Sequence, residues 1–126
     1  MGVSVLSWNV RGLNDSIKRR LVMDYIRKQN AKITFLQETH LTGSKLITLQ
    51  KQWVGWSYHS TFSTYTGGTS ILVRKSTVFQ PLSIKTDPRG RYVFVYCLLN
   101  ATPVVLANIY IPPHTRTSVS KNWLPL

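Results

Sequence analysis

Acidic residues are nearly absent from this chain: Asp15, Asp24, Glu38 and Asp87 are the only four in 126 residues, against 16 lysines and arginines, a formal net charge of +12. A mechanism that needs a cluster of carboxylates has little to draw on. An excess of positive charge on this scale points to a polyanionic partner, nucleic acid first. Cysteine is scarcer still, Cys97 alone, which excludes an internal disulfide framework and a cysteine-rich zinc site and fits a reducing compartment. No run approaches the roughly 18 apolar residues needed to span a bilayer. The start, Met1-Gly2-Val3-Ser4-Val5-Leu6, lacks the basic opening of a signal peptide and carries Leu6 where a myristoylation signal wants Ser or Thr. The expectation is an intracellular chain, the nucleus included, with no membrane partner.

What is present suffices for one core: 43% of the residues are hydrophobic, at a length of one domain. Residues 3–8 largely alternate apolar and small polar side chains, the period of a strand, and Gly12 marks the break after it. Asn14, Asp15 and Ser16 are good N-caps for a helix over 15–29. There Ile17, Leu21, Val22, Tyr25 and Ile26 make an apolar face, and Lys18, Arg19, Arg20, Arg27 and Lys28 a basic outer one. A strand over 32–37 completes a strand-helix-strand unit, read as a parallel crossover. A short helix is expected over 44–53, and the stretch 55–65 turns polar and aromatic. Beyond it strands are expected over 69–74, 91–99 and 103–111, the last two as an antiparallel hairpin around Asn100-Ala101-Thr102. Pro112 and Pro113 stop the last strand, and 114–126 reads as a tail without periodicity.

Four strings carry the chemistry: Ser7-Trp8-Asn9-Val10-Arg11-Gly12-Leu13, Leu36-Gln37-Glu38-Thr39-His40-Leu41, Gly68-Thr69-Ser70-Ile71-Leu72-Val73 and Asn108-Ile109-Tyr110-Ile111-Pro112-Pro113. In order and spacing they resemble the metal-dependent endonuclease/exonuclease/phosphatase superfamily. More closely, the stretch from about Val5 to Pro113 is similar to the apurinic/apyrimidinic-like endonuclease domain of LINE-type retrotransposon proteins, related to exonuclease III. The resemblance implies an α/β fold, here a truncated half of a four-layer α/β sandwich, with residues 1–113 as the N-terminal half-domain and 114–126 as a divergent tail. It also implies a magnesium-dependent, phosphodiester-cleaving DNA nuclease in which the Glu matching Glu38 binds magnesium. The Asn matching Asn9 supports that site, and the Tyr matching Tyr110 orients the nucleophile or stabilises developing charge beside the phosphate. Physically, Asn9 and Glu38 stand where adjacent parallel strands would end. A carboxylate, an amide oxygen and waters are the hard oxygen environment that magnesium prefers. Asn108 reads as scaffolding near Tyr110. His40 does not match the family's catalytic histidine and reads as structural, and His59 and His114 carry no signal.

Arg11, just after Asn9, is placed for phosphate contact, with Lys45 and Arg74 as further nucleic-acid-binding residues and Lys75, Arg89 and Arg91 adding charge near turns. Such a distribution supports salt-sensitive, sequence-tolerant binding, DNA foremost. The resemblance implies that the family continues about as long again, through a Gly-Asp-Phe-Asn-type string and a terminal Ser-Asp-His-type string that supply the base, its partner and the phosphate-binding His. Neither string occurs here, and no Asp or Glu follows Asp87. The expectation is a fragment of a nuclease inactive alone; the alternatives are a catalytically dead nucleic-acid-binding fragment and a retroelement remnant without function. A half-sandwich supplying little more than one sheet would expose an apolar inner face and self-associate through it.

Overall fold

The first turn of the long helix is fixed by Asp15, whose side chain accepts the Lys18 backbone N–H at 2.8 Å. The computed structural model describes residues 2–112. Within them the chain runs β1 (Val5–Asn9), α1 (Ser16–Lys28), β2 (Ile33–Gln37), α2 (Gly43–Gln52), β3 (Gly55–Ser60), β4 (Thr69–Arg74), β5 (Phe79–Thr86), β6 (Tyr92–Leu99) and β7 (Thr102–Ile109). The crossover is parallel as expected, with Val5 opposite Ile33 and Asn9 opposite Gln37. β4 then pairs antiparallel with both β2 and β3, giving a four-stranded sheet in the order β1-β2-β4-β3. The hairpin β6-β7 is also as expected, and β5 adds to its far edge to make a second, antiparallel sheet in the order β5-β6-β7.

The expectation of little more than one sheet is corrected here. Ile33, Ile71 and Val73 of the first sheet pack with Val93, Val95, Cys97 and Leu106 of the second, so the two inner faces cover one another. On the other side of the first sheet Val22, Met23, Ile26 and Leu49 of the helices pack on Leu36 and Leu72. The described residues therefore form three layers: helices, sheet, sheet. Apolar side chains remain uncovered on the outer face of the second sheet, where Tyr96, Val105 and Ile109 are 45%, 51% and 55% exposed.

α1 is also turned relative to expectation. Positions 19, 22, 23 and 26 form the stripe against the sheet, leaving Ile17 and Leu21 exposed and Tyr25 edge-on to Trp8 with ring centroids 5.2 Å apart. Arg19, expected on the basic outer face, is buried; its Nη1 donates to the carbonyls of Leu13 at 2.9 Å and Asn14 at 3.1 Å. β3 occupies part of the stretch read as polar and aromatic, and β5 forms where no strand was expected. The tail 114–126 lies outside the described residues.

Candidate active site at the strand ends

Because β1 and β2 are parallel and in register, Asn9 and Gln37 finish side by side, and the chain beyond each turns over the same edge of the sheet. β4, antiparallel to β2, begins at Thr69 opposite Gln37, so the loop before it opens on that edge too. In the second sheet Tyr92 pairs with Ile109, which brings Tyr110 to the same end. Here the sheets are tied together. The Tyr110 hydroxyl donates to Glu38 Oε1 at 2.8 Å, and the Tyr110 backbone N–H donates to the Arg91 carbonyl at 2.7 Å. One turn of strand inward, buried Asn108 donates through Nδ2 to the carbonyls of Leu36 at 2.9 Å and Ser70 at 2.8 Å, and its Oδ1 accepts Gln37 Nε2 at 2.8 Å. The scaffolding reading of Asn108 is geometrically apt: it closes the gap between the sheets just beneath the Glu38–Tyr110 pair.

Asn9 and Tyr110 face one shallow cleft of about 350 Å³, with Ser7, Gln37, Ile109 and Ile111. Asn9 Oδ1 accepts the Arg11 backbone N–H at 3.1 Å, so the Asn9 amide oxygen is oriented by the loop that follows it. Glu38 and His40 both take left-handed backbone, φ 55 and 56, about buried Thr39. The His40 backbone N–H donates to the Gly67 carbonyl at 3.1 Å. Burial holds the His40 ring below the usual imidazole range, with the nearby Glu38 charge opposing that shift and Lys18 adding to it.

Of the three cations expected to contact nucleic acid, Arg11 is exposed on the loop after Asn9, and Lys45 is exposed in the first turn of α2. Arg74 lies at the far end of β4, where its guanidinium donates to the carbonyls of Ala31 at 2.6 Å, Ile26 at 2.6 Å, Arg27 at 3.0 Å and Gln29. It closes the C-terminus of α1 and is not at the strand ends. The cations beside Tyr110 are Arg89 and Arg91, which line a second cleft of about 420 Å³ with Phe62, Thr66, Gly67 and Pro112. Tyr110 thus stands between the two clefts. Charge near the Asp87–Gly90 turn signalled the arginines in the sequence, but nothing there signalled Phe62, a residue 53% exposed.

His59 is neutral for a structural reason. Its Nδ1 lies 2.7 Å from Ser70 Oγ, its Nε2 is buried without a hydrogen-bond partner among the described residues, and burial pulls its pKa down to about 4. An unfolded imidazole takes up its proton near 6.5, so the unfolded state gains as pH falls from 6.5 towards 4 and stability is fully present only above that window. Urea unfolding of the parent should lose roughly 2 kcal/mol more than His59→Gln between about pH 7 and 4.5. Equal losses would show that His59 is protonated in the folded chain.

Among the described residues no group of three or more His, Cys, Asp or Glu side chains is placed to hold a metal ion. The oxygen donors at the strand ends are instead one carboxylate, Glu38, and one amide, Asn9.

The Endonuclease/Exonuclease/phosphatase family model matches residues 6–123. In fold, the chain is similar to TDP2 from C. elegans, with 24% identity, a TM-score of 0.71 and coverage of 96% of this chain and 40% of that one. It is also similar to the 3′ phosphatase NExo from Neisseria bound to a product DNA hairpin, at 21% identity and TM-score 0.66, covering 98% and 49%. The 3′-5′ exonuclease NExo from Neisseria meningitidis follows at 20% and 0.60, covering 96% and 48%. The chain spans about half, or less, of the length of these solved structures.

Proposed function

Because this chain belongs to the Endonuclease/Exonuclease/phosphatase family, we propose that its strand ends are the metal-side part of a magnesium-dependent, DNA-cleaving site of the LINE-type, apurinic/apyrimidinic-like kind, and that these 126 residues alone bind nucleic acid without cutting it. The observation that carries the reading is the Tyr110–Glu38 hydrogen bond, which joins a carboxylate at the end of the first sheet to a phenol of the second that lines both clefts. Magnesium fits the donors present: Glu38 and Asn9 offer oxygen only, and this ion keeps several waters where protein ligands are few. When bound it would neutralise charge on a phosphate. Glu38 and Asn9 would hold it; Tyr110 orients the Glu38 carboxylate and reaches both clefts. Arg89 and Arg91 supply positive charge to the larger cleft, and the exposed Phe62 ring offers a face on which a base can stack.

The proposed inactivity follows from the other acids. Asp15 caps α1, Asp24 pairs with Arg27 along that helix, and buried Asp87 accepts the Arg91 N–H at 2.9 Å. None stands by Tyr110 to activate water, and loss of one positioned base costs roughly 10² to 10⁴ in rate. DNA is the favoured polyanion on the net charge of +12 and on the hairpin held by one similar structure, which suits an intracellular, nuclear setting.

Fluorescence anisotropy with duplex DNA should show affinity falling roughly a hundredfold between about 50 and 200 mM salt, as expected for about four phosphate contacts; a flat response would remove the electrostatic basis. A gel assay with plain and abasic duplex in magnesium should show no nicking. Nicking by the parent that vanishes in Glu38→Ala would make the chain a working nuclease. The apolar outer face of the second sheet is proposed to bring copies together. Sedimentation should then show concentration-dependent association that Tyr96→Lys with Val105→Lys abolishes.

A further inference from the structure

Four hydrogen bonds and two chain steps close a circuit around the candidate site, and a fifth bond runs beside it. Starting at Tyr110, its N–H donates to the Arg91 carbonyl at 2.7 Å; the preceding residue, Gly90, accepts the Gly68 N–H at 2.9 Å. The Gly68 carbonyl accepts the Thr39 N–H at 3.1 Å, and beside it the Gly67 carbonyl accepts the His40 N–H at 3.1 Å. Thr39 follows Glu38, and Glu38 Oε1 accepts the Tyr110 hydroxyl at 2.8 Å. Three loops from two sheets are thus stacked backbone on backbone.

The stack has no room for side chains at its middle. A Cβ on Gly90 would come within 2.5 Å of the Gly68 nitrogen, and one on Gly68 within 2.3 Å of Thr39 Oγ1. Both glycines also hold left-handed backbone, φ +68 and +95, which any other residue adopts at a cost. Neither glycine is a donor to Glu38 or Tyr110 side chains, and neither lies in the cores that hold the layers together. What their contact determines is how far the Thr39 loop sits from the Arg91 strand start.

We infer that the Gly68–Gly90 backbone contact is a spacer that sets the gap between Glu38 and Tyr110, so that both glycines are positioning residues of the site. A methyl group at Gly90 wedges the two loops apart, and the strain is relieved where the circuit is held by one side-chain bond, at the Tyr110 hydroxyl. The consequence for metal affinity rests on the magnesium reading above; the geometric claim does not.

The test uses the full chain labelled at tyrosine ¹³Cζ, with Tyr110→Phe to assign the Tyr110 signal among the six tyrosines. In Gly90→Ala that signal should move towards its position in Glu38→Ala. In Val93→Ala, a truncation at a fully buried position of the same sheet, it should stay at the parent position although the fold is weakened. A Tyr110 signal unmoved in Gly90→Ala, or moved as far in Val93→Ala, overturns the spacer. Should Gly90→Ala fail to fold, amide exchange in the parent decides: one spacer requires the Thr39, Gly68 and Tyr110 amides to exchange together, and a Gly68 amide more than about tenfold faster than Tyr110 refutes it. A magnesium titration separates the two claims. Affinity roughly 10-fold to 100-fold weaker in Gly90→Ala supports both; no response in the parent ends the metal reading and leaves the spacer judged on the tyrosine signal.

Discussion

Asn108→Asp is expected to cost roughly 3 to 5 kcal/mol at neutral pH, read from urea unfolding against the parent, although it replaces one nitrogen by oxygen. Asn108 uses both hydrogens of its amide on the carbonyls of Leu36 and Ser70, and its oxygen on Gln37 Nε2. A carboxylate keeps the last bond only. It also puts negative charge within hydrogen-bond reach of two carbonyl oxygens in a buried gap, where a bare ion is costly. The new carboxyl should therefore titrate above its unfolded value of about 3.9, and the sign follows: the deficit grows as pH rises through that value and shrinks below it. A loss under about 1 kcal/mol would mean that the Asn108 hydrogen bonds do not hold the sheets together at this end.

Arg74→Met should cost roughly 2 to 4 kcal/mol and lower Tm by roughly 10 °C, while leaving the variant's DNA affinity within a few-fold of the parent. Methionine keeps the stem but abandons four carbonyls, of Ala31, Ile26, Arg27 and Gln29, at the end of α1 where the helix dipole is negative. Arg74→Lys should not restore stability, because one ammonium cannot reproduce the planar fork that reaches all four. Calorimetry gives the first comparison and anisotropy the second. A stable variant with DNA binding reduced more than tenfold would return Arg74 to the nucleic-acid surface.

Arg74 shows why some of the fold was hidden in the sequence. Its partners lie 43 to 48 residues back along the chain, and a cation beside a turn reads locally as solvated charge. β1, β2 and the start of α1 were legible because strand period and the Asp15 cap act over a few residues. β5 was not: it is an edge strand, exposed along seven of its eight residues and bulged between Pro81 and Ser83, so it needs no alternation. The turn of α1 was ambiguous because two adjacent apolar stripes run along it, and the sheet took the one containing Arg19 and Met23. Asn9, Glu38 and Tyr110 were singled out through their strings, and the register of β1 on β2 sets Asn9 beside Gln37, the residue before Glu38. Phe62 and the stacked glycines were invisible, since their parts depend on loops that only the two-sheet packing brings together.

The Glu38 carboxylate and the Tyr110 hydroxyl are 72 residues apart in sequence, as are Leu36 and Asn108. A ribosome adding roughly 5 to 20 residues per second makes the second partner several seconds after the first. In that interval β1, α1 and β2 have all their mutual contacts available, while Ile33 waits for Val93, Val95 and Leu106. Until they are made, the inner face of the first sheet has no cover from the second, and exposed apolar surface of that kind is prone to aggregate. Docking of the β6-β7 hairpin covers that face, and β7 carries Tyr110 to Glu38. A chain stalled before β7 would present the carboxylate without the phenol, so completion of the second sheet and appearance of the site are one event.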